Sequence, residues 1–233
     1  DWYESWKTHL AQYLNNPPRT GIYIHAKFPK ISSSLEIASG SSRDSVYLAK
    51  KKVEATASDY EDRVIDDLRK RFVYRRLKYQ QADAFNLPFN DNTFDLVFHN
   101  GFFIYFKKDL DITIMLIEQA RVARKYVVFF VHNKMNYNLV QQFKELAPKD
   151  PIYDIRFFEP DEVERIASTA GIDKRSVKIF KFGGKYDRFY SKRLRRFIPN
   201  PIYPFRTVMI PHLYDLQNWE DTERIGCLIE LDK

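Results

Sequence analysis

The chain has 233 residues, of which 44% are hydrophobic and 30% charged, a composition that predicts a soluble globular protein with one large core. Its single cysteine, Cys227, excludes an internal disulfide and a multi-cysteine metal site, and we expect a reducing, cytoplasmic setting. No run of about 18 apolar residues predicts a membrane-spanning helix, and no signal peptide is visible. The net charge of +7 is modest, but residues 69–78 and 185–196 each contain six basic side chains.

The first 33 residues are predicted to form a helical arm ahead of the main domain. Its large apolar side chains recur at roughly helical spacing: Trp2, Tyr3, Trp6, Leu10, Tyr13 and Leu14. The segment NNPP at 15–18 ends this helix. Such an arm either packs on the surface of the domain or closes over a pocket as a lid.

From Ser34 to Asn133 the sequence alternates between short apolar runs and amphipathic segments. The apolar runs predict strands: SLEIA, VEATAS, a short run near 79–82, FDLVFH and YVVFFVH. The amphipathic segments predict helices: Asp44–Lys52, Tyr60–Arg71 and Leu110–Arg124. Strands that alternate with helices indicate a parallel sheet with right-handed crossovers.

The last hundred residues continue this pattern more loosely. Pro160–Gly171 has the start and end signals of a helix, and SVKIFKF and IGCLIEL predict two further strands. Between those strands lies an insert at about 183–222, too long for an ordinary loop. Its first half has the pattern of a basic amphipathic helix, which suits a cap over a small-molecule pocket, an RNA backbone or an anionic membrane surface.

The segment ASGSS at 38–42 follows the first predicted strand and contains only small residues, with Glu36 just before it. A tight strand-to-helix turn needs small residues where its backbone passes close to a ligand. An ordinary turn of small residues is the alternative interpretation.

Two acidic residues follow the next two predicted strands. In a strand–helix–strand unit, an acid at the position of Asp59 can accept hydrogen bonds from both ribose hydroxyls of a nucleoside, although Asp59 is also placed to cap the following helix. Asp83 ends the third strand, where an acceptor suits the exocyclic amine of adenine. Ala84 and Phe85 beside it suit the flat ring. Together the three loops predict a nucleotide pocket at one edge of the sheet.

These segments resemble the class I S-adenosylmethionine-dependent methyltransferases. Glu36, Ala38, Gly40 and Ser42 lie in register with the family's acid-x-Gly-x-Gly-x-Gly loop, and ADAFNLPF with DNTFDLVF is similar to its Asp-Ala-x-x-Leu-Pro-Phe and Phe-Asp-Leu-Val segments. The similarity covers about Ser34–Asn133. It implies a Rossmann-like α/β fold for residues 34–233, with a seven-stranded, mostly parallel sheet, helices on both faces and an antiparallel C-terminal hairpin.

The resemblance further implies methyl transfer with S-adenosyl-L-methionine as the cofactor and no metal. The residues it places in the cofactor site are Glu36, Ala38, Ser39, Gly40, Asp59, Tyr60, Asp83, Ala84, Phe85 and Asn100. We expect a small or medium-sized acceptor; an RNA methyltransferase is one alternative. A non-catalytic scaffold protein is another, because Ala38 and Ser42 replace two loop glycines. A dinucleotide-dependent oxidoreductase is disfavoured, since its glycine pattern would place Arg43 where a small residue is needed.

Methyl transfer from a sulfonium needs mainly positioning and, for some acceptors, a base. His99, Tyr105 and His132 are the candidate bases because each falls near the end of a strand, and a hydrogen-bonded structural role is the alternative for each. Four aromatic residues follow the fourth strand directly: Phe102, Phe103, Tyr105 and Phe106. They either line an acceptor pocket or pack in the core.

Overall fold

The computed structural model describes residues 2–190, 209–210 and 212–232 of the chain. Its α-helices are α1 Trp2–Asn15, α2 Arg19–Lys27, α3 Arg43–Lys50, α4 Asp62–Arg71, α5 Asp109–Val122, α6 Tyr137–Leu146 and α7 Pro160–Thr169. Its strands are β1 Ser33–Glu36, β2 Glu54–Asp59, β3 Leu77–Gln81, β4 Phe94–Asn100, β5 Ala123–His132, β6 Val177–Gly184 and β7 Thr222–Glu230.

The seven strands form one mixed sheet in the order β3-β2-β1-β4-β5-β7-β6. Strands β1 to β5 run parallel to one another. Strand β7 is antiparallel to both β5 and β6. The order reverses between β1 and β4, so the carboxyl ends of these two strands border the crevice in which open α/β sheets bind ligands. The predicted fold class is confirmed.

Both faces of the sheet are covered, as the side chains of β5 illustrate. Val127, Phe129 and Val131 pack with α5 and α7 on one face, whereas Val128 and Phe130 pack with α2 and α3 on the other. Because neighbouring residues of a strand point to opposite faces, a strand buried on both sides needs an unbroken apolar run. This is the physical reason for the YVVFFVH sequence.

The N-terminal residues form two helices that pack on the sheet domain. Residues of α2 are buried beside α3. The two helices approach closely at Gly21, where a Cβ atom would lie only 2.9 Å from the Asp44 carbonyl oxygen and would therefore clash with it. Helix α1 packs through Tyr3, Trp6 and Leu10 against Val64 and Leu68 of α4. Helix α1 is therefore held against α4.

The sequence-based boundaries fail where no turn residue separates two elements. Helix α5 ends at Val122 and β5 begins at Ala123, so the predicted continuation of the helix to Arg124 is wrong.

Helix α6 has no counterpart among the helices predicted from the sequence. None of its residues is buried, so it leaves a weak apolar pattern, although the Asn136 side chain caps it by accepting a hydrogen bond from the Leu139 amide at 3.1 Å.

Much of the predicted basic insert at about 183–222 lies outside the described residues. The described beginning of the insert comprises the end of β6 and a 3₁₀ helix, Lys185–Tyr190. The proposed roles of the insert as a cap, an RNA contact or a membrane contact stay predictions. Within the ranges that the structure describes, no helix is long and apolar enough to cross a membrane.

Candidate functional site

A cavity of about 750 Å³ opens at the carboxyl ends of the parallel strands. Its volume lies in the upper part of the range of roughly 300–1,000 Å³ in which proteins bind small molecules. All ten residues that the sequence places in the cofactor site line this one cavity: Glu36, Ala38, Ser39, Gly40, Asp59, Tyr60, Asp83, Ala84, Phe85 and Asn100. The strands thus bring three loops distant in sequence to a common space.

The loop after β1 adopts a glycine-like backbone although it has only one glycine. Gly40 has φ +51°, and the residues at the two other glycine positions, Ala38 and Ser42, also have positive φ values of 49° and 51°. Positive φ is disfavoured for residues that carry a Cβ atom. The chain therefore keeps the loop conformation at some cost in backbone strain, a feature that is expected at ligand sites.

Glu36 is buried at the base of this loop and is tied to α3. One carboxylate oxygen accepts hydrogen bonds from the Ser45 amide at 3.0 Å and the Ser45 hydroxyl at 2.5 Å. Burial, helped by the nearby charge of Asp44, raises the pKa of Glu36 to about 8. The neutral acid therefore predominates at pH 7, and Glu36 supports the loop as well as lining the cavity.

Asp59 is the last residue of β2 and faces the same loop. Its carboxylate accepts hydrogen bonds from the Gly40 amide and from the Glu61 amide, each at 3.2 Å. The helix-cap alternative is wrong, because α4 begins at Asp62 and Glu61 is its N-cap residue. Burial raises the pKa of Asp59 to about 6. When ionised, this carboxylate has lone pairs beyond those used by the two amides, and it borders the cavity.

Asp83, Ala84 and Phe85 form the wall beyond Asp59. The Asp83 carboxylate accepts a hydrogen bond from the Phe85 amide at 2.9 Å, which fixes a tight turn after β3. Phe85 is 38% exposed and Tyr60, across the cavity wall, is 73% exposed. Two exposed aromatic rings beside a carboxylate are suited to a flat, polar-edged ligand such as a purine.

The LPF part of the QADAFNLPF segment supports this wall. Arg121 of α5 donates hydrogen bonds to the Leu87 carbonyl at 2.9 Å and the Phe89 carbonyl at 2.8 Å. Glu118 accepts a hydrogen bond from the Leu87 amide at 2.9 Å. Because α5 holds the loop at three backbone groups, the position of Asp83 is set by the helix packed beneath it.

The three candidate bases have different environments. His99 does not line the cavity: it is fully buried among Phe102, Phe103 and Phe129, because alternation along β4 turns it toward the core. Burial lowers its pKa to about 3, and neither ring nitrogen has a partner among the described residues. The interpretation of His99 as a base is therefore not supported.

Tyr105 and His132 do line the cavity. His132 ends β5 and is 5% exposed, with its ring against Phe143 and Phe157. Burial, and then the positive charge of Arg224, holds its pKa well below the usual value, so the imidazole is neutral at pH 7. In the part of the chain that the structure describes, its Nδ1 atom has no hydrogen-bond partner.

The aromatic segment after β4 divides between the two roles considered for it. Phe103 is 1% exposed and belongs to the core beneath α5. Phe102, Tyr105 and Phe106 line the cavity instead. The 3₁₀ helix Phe103–Tyr105 produces this division, because its short turn points successive side chains in different directions.

The far half of the cavity is formed by elements that sequence reasoning did not connect with the cofactor loops. It is bounded by α1, by the 3₁₀ helix Pro151–Tyr153 and by the start of β7. These three elements contribute the lining residues His9, Tyr13, Tyr153 and Arg224. The heptad-like apolar spacing of the arm was visible, but nothing local in the sequence shows which face of the sheet it would cover.

Trp6 of α1 reaches the glycine loop. It is 2% exposed and lines the cavity, and an ideal Cβ atom on Gly40 would lie 3.5 Å from its Nε1. No described residue accepts a hydrogen bond from this buried N–H. Since a buried donor without a partner is costly, this N–H is a feature that a bound ligand would satisfy.

The described residues contain no cluster of three or more His, Cys, Asp or Glu side chains suited to a metal ion.

The site combines a strained small-residue loop, two acids at strand ends, exposed aromatic rings and an unpartnered indole N–H. These groups fit a nucleoside: a carboxylate for ribose hydroxyls, aromatic surfaces for a base and backbone amides near the loop.

Comparisons with known structures agree with the fold described above. A Thermotoga maritima S-adenosylmethionine-dependent methyltransferase, described as a possible histamine N-methyltransferase, is 15% identical, with a TM-score of 0.65 over 99% of this chain and 100% of that one. A chain in the Haloferax volcanii complex of the Trm112 methyltransferase activator and a putative methyltransferase is 13% identical, with a TM-score of 0.60 over 98% of both chains. At these identities the likeness establishes the fold.

Magnesium protoporphyrin IX methyltransferase from Synechocystis, solved with bound SAH, is 10% identical, with a TM-score of 0.60 over 98% of this chain and 86% of that one. A sequence comparison with curated proteins gives no match. A family model for the methyltransferase domain matches residues 35–131, the segment that contains the glycine-loop position, Asp59 and Asp83. Residues 35–131 thus match the sequence pattern of a methyltransferase domain, and the chain shares its fold with S-adenosylmethionine-dependent methyltransferases.

Proposed function

We propose that the chain transfers a methyl group from S-adenosylmethionine to a small or medium-sized acceptor that binds in the far half of the same cavity. The observation that carries this proposal is the continuity of the cavity from Asp83 to Tyr153. One end has the groups expected for a nucleoside, and the other is enclosed by α1 and the 3₁₀ helix Pro151–Tyr153. An enclosed, mostly aromatic chamber suits a small molecule.

The cofactor end is assigned to the ten residues named above, with Asp59 as the ribose acceptor and Asp83, Ala84 and Phe85 at the base. We add Trp6, whose buried N–H lacks a partner in the described structure beside Gly40. S-adenosylmethionine supplies a methyl group that is already activated on a sulfonium. The task of the protein residues is therefore to bind, orient and exclude water.

Helix α1 is the element that closes the cavity, and the lid interpretation of the arm is the one that we adopt. The Tyr3 hydroxyl donates to Asp67 of α4 at 2.8 Å, while His9 contacts Asp150 at 2.7 Å on the acceptor side. Arg43, which follows the glycine loop, donates to the Tyr13 carbonyl at 2.8 Å. Because polar side chains hold both ends of α1, it can lie across the cavity without a continuous apolar interface.

His132 is the proposed acceptor-facing base. What supports this role is position: His132 lines the cavity and its imidazole is neutral at pH 7, so a ring nitrogen can accept a proton from an acceptor N–H or O–H group, while burial and Arg224 lower its basicity. Tyr105, the other candidate that lines the cavity, has its pKa raised by burial, so it is positioned as a hydrogen-bond donor instead.

The proposal is tested by methyl transfer with a radiolabelled methyl group on the cofactor. The purified chain is incubated with a panel of small aromatic amines, phenols and carboxylic acids and, separately, with total RNA. Label in a small-molecule product that is lost in His132→Gln supports the assignment. Incorporation into RNA alone, with salt-dependent binding of RNA, would replace it with the RNA alternative. Saturable cofactor binding without transfer to either class would favour the scaffold alternative.

A further inference from the structure

Arg224 is an arginine in this cavity that has a donor left over on its guanidinium group. It belongs to β7, its side chain is 15% exposed, and it lines the cavity between the ends of β4 and β5. Its Nε donates to Glu223 at 3.0 Å and its Nη1 donates to the Asn100 carboxamide oxygen at 2.8 Å. Within the described residues its Nη2 has no such bond.

The surroundings of Arg224 hold the guanidinium in a fixed orientation. Asn100, which accepts from Nη1, is itself held by donating to the Thr20 hydroxyl at 2.9 Å. Gly101 makes room for the guanidinium, because an ideal Cβ atom there would lie 2.9 Å from Nη1. A guanidinium fixed on two of its three nitrogens is already positioned for a planar anion on the third.

The charge of Arg224 is only partly balanced by its neighbours. Glu223 Oε1 accepts hydrogen bonds from both Arg224 Nε and Arg19 Nη2, the latter at 3.1 Å. Burial, with the positive charges of Arg19 and Arg43 nearby, lowers the pKa of the Arg224 guanidinium. An anion placed against Nη2 would therefore be attracted more strongly than at an exposed arginine.

Arg43, the other arginine that lines the cavity, is a weaker candidate. Its Nη1 is committed to the Tyr13 carbonyl, and its Nε is buried without a hydrogen-bond partner among the described residues, 3.8 Å from an oxygen of Asp44. An anion near Arg43 would meet this buried carboxylate directly, whereas the Nη1 side of Arg224 lies against Asn100, and Tyr105 and His132 line the same cavity.

We propose that the free Nη2 edge of Arg224 is a carboxylate site of the methyltransferase cavity. Two carboxylates could occupy it: the amino-acid carboxylate of the cofactor, or a carboxylate of an acidic acceptor. The inference rests on the proposed function, because both ligands are those of a methyltransferase. Beyond the proposed function, it states that one ligand group is a carboxylate and that Arg224 is the residue that binds it.

The first arm of the test compares two ligands on the wild-type protein by isothermal titration calorimetry. One is S-adenosylhomocysteine, and the other is its decarboxylated counterpart, which keeps the nucleoside, the sulfur and the amine. If Arg224 binds the cofactor carboxylate, the decarboxylated ligand binds roughly ten- to a hundredfold more weakly. In Arg224→Gln the two ligands should bind with similar affinity, at the level of the decarboxylated one.

The second arm titrates 4-hydroxybenzoate and its uncharged amide into protein saturated with S-adenosylhomocysteine. If Arg224 binds an acceptor carboxylate, the acid binds and the amide does not, Arg224→Gln abolishes binding of the acid, and the affinity for S-adenosylhomocysteine is unchanged. Arg224→Lys keeps the charge without the planar fork and should retain only part of the affinity in whichever arm responds.

Arg76→Gln is the matched control, because Arg76 is exposed and pairs with Glu54 outside the cavity. The inference is overturned if wild-type protein binds both ligands of each pair with equal affinity. It is also overturned if Arg43→Gln weakens binding of the carboxylate-bearing ligand and Arg224→Gln does not. If Arg224→Gln does not fold, the wild-type comparisons and Arg224→Lys still decide. Failure of wild-type protein to bind S-adenosylhomocysteine at all would instead remove the proposed function.

Discussion

The Gly40 amide donates a hydrogen bond to the Asp59 carboxylate at 3.2 Å, so the loop after β1 and the acid after β2 form one unit. The same carboxylate accepts from the Glu61 amide at 3.2 Å. Asp59 therefore shapes the loop in addition to facing the cavity. Protonation of this side chain should therefore weaken both its hydrogen bond to the loop and its proposed hydrogen bonds to the ribose of a bound cofactor.

Cofactor affinity is predicted to fall below pH 6. Ribose hydroxyls donate to a carboxylate, so binding favours ionised Asp59, and burial places its pKa at about 6. As the pH falls through this value the protonated fraction grows, and the dissociation constant of S-adenosylhomocysteine should rise roughly tenfold for each pH unit. Calorimetry between pH 7.5 and pH 5 measures this. Asp59→Asn should show no such dependence, and an equal dependence in both proteins would contradict the assignment.

Ala38→Gly is predicted to stabilise the fold. Ala38 has φ 49°, where a Cβ atom is disfavoured by about 1–2 kcal/mol, while glycine adds entropy to the unfolded chain. The net gain in the free energy of unfolding should be about 0.5–1 kcal/mol by urea denaturation. Ala49→Gly in α3, at a helical position, should destabilise the protein. If both substitutions destabilise it, the loop is not strained at Ala38.

Trp6→Phe is predicted to weaken cofactor binding while leaving the fold intact. The substitution keeps most of the packing against α4 but removes the unpartnered Nε1 donor beside Gly40. Loss of one neutral hydrogen bond should lower the affinity for S-adenosylhomocysteine about three- to tenfold. Trp219→Phe is the control, and in that variant cofactor should still change the tryptophan fluorescence. Unaltered affinity and fluorescence response in Trp6→Phe would show that α1 does not contact the cofactor.

His99→Phe is predicted to reduce the acid sensitivity of the fold. His99 is buried with its pKa lowered to about 3, whereas in the unfolded chain it gains a proton near pH 6.5. The unfolded state therefore binds more protons as the pH falls through 6.5, and stability is lost. Between pH 7.5 and pH 5 this single group accounts for about 2 kcal/mol. Urea denaturation at both pH values should show that much less acid destabilisation in the variant, and an unchanged difference would contradict the assignment.

The shared location of the residues expected at the cofactor could be predicted from sequence because their signals are local. Each of these residues ends a strand or follows one within a few positions, as Asp59 ends β2 and Asp83 follows β3. In a parallel sheet the carboxyl ends of such strands meet at one edge. Family resemblance then supplied the identity of the ligand, and the structure places these residues around a single cavity.

The acceptor half could not be predicted, because its residues meet only through tertiary packing. His9 and Asp150 are 141 positions apart in the sequence, and Arg224 lies 124 positions from Asn100. His99 and His132 looked equivalent as histidines near strand ends, yet strand alternation and the register of β4 and β5 leave only His132 on the cavity. Side-chain direction at a strand end depends on these details, which residue type alone does not reveal.

The most direct test of the central claim is calorimetric titration of S-adenosylhomocysteine into the wild-type protein and Asp59→Ala. We expect saturable 1:1 binding to wild-type protein, and affinity that is weaker in Asp59→Ala by about 1.5–3 kcal/mol, the contribution of hydrogen bonds to a charged acceptor. Asp66→Ala, an exposed substitution on α4, should bind as wild type does. Unchanged affinity in a folded Asp59→Ala variant would show that the ribose is placed incorrectly, and no binding to wild-type protein would contradict the account as a whole.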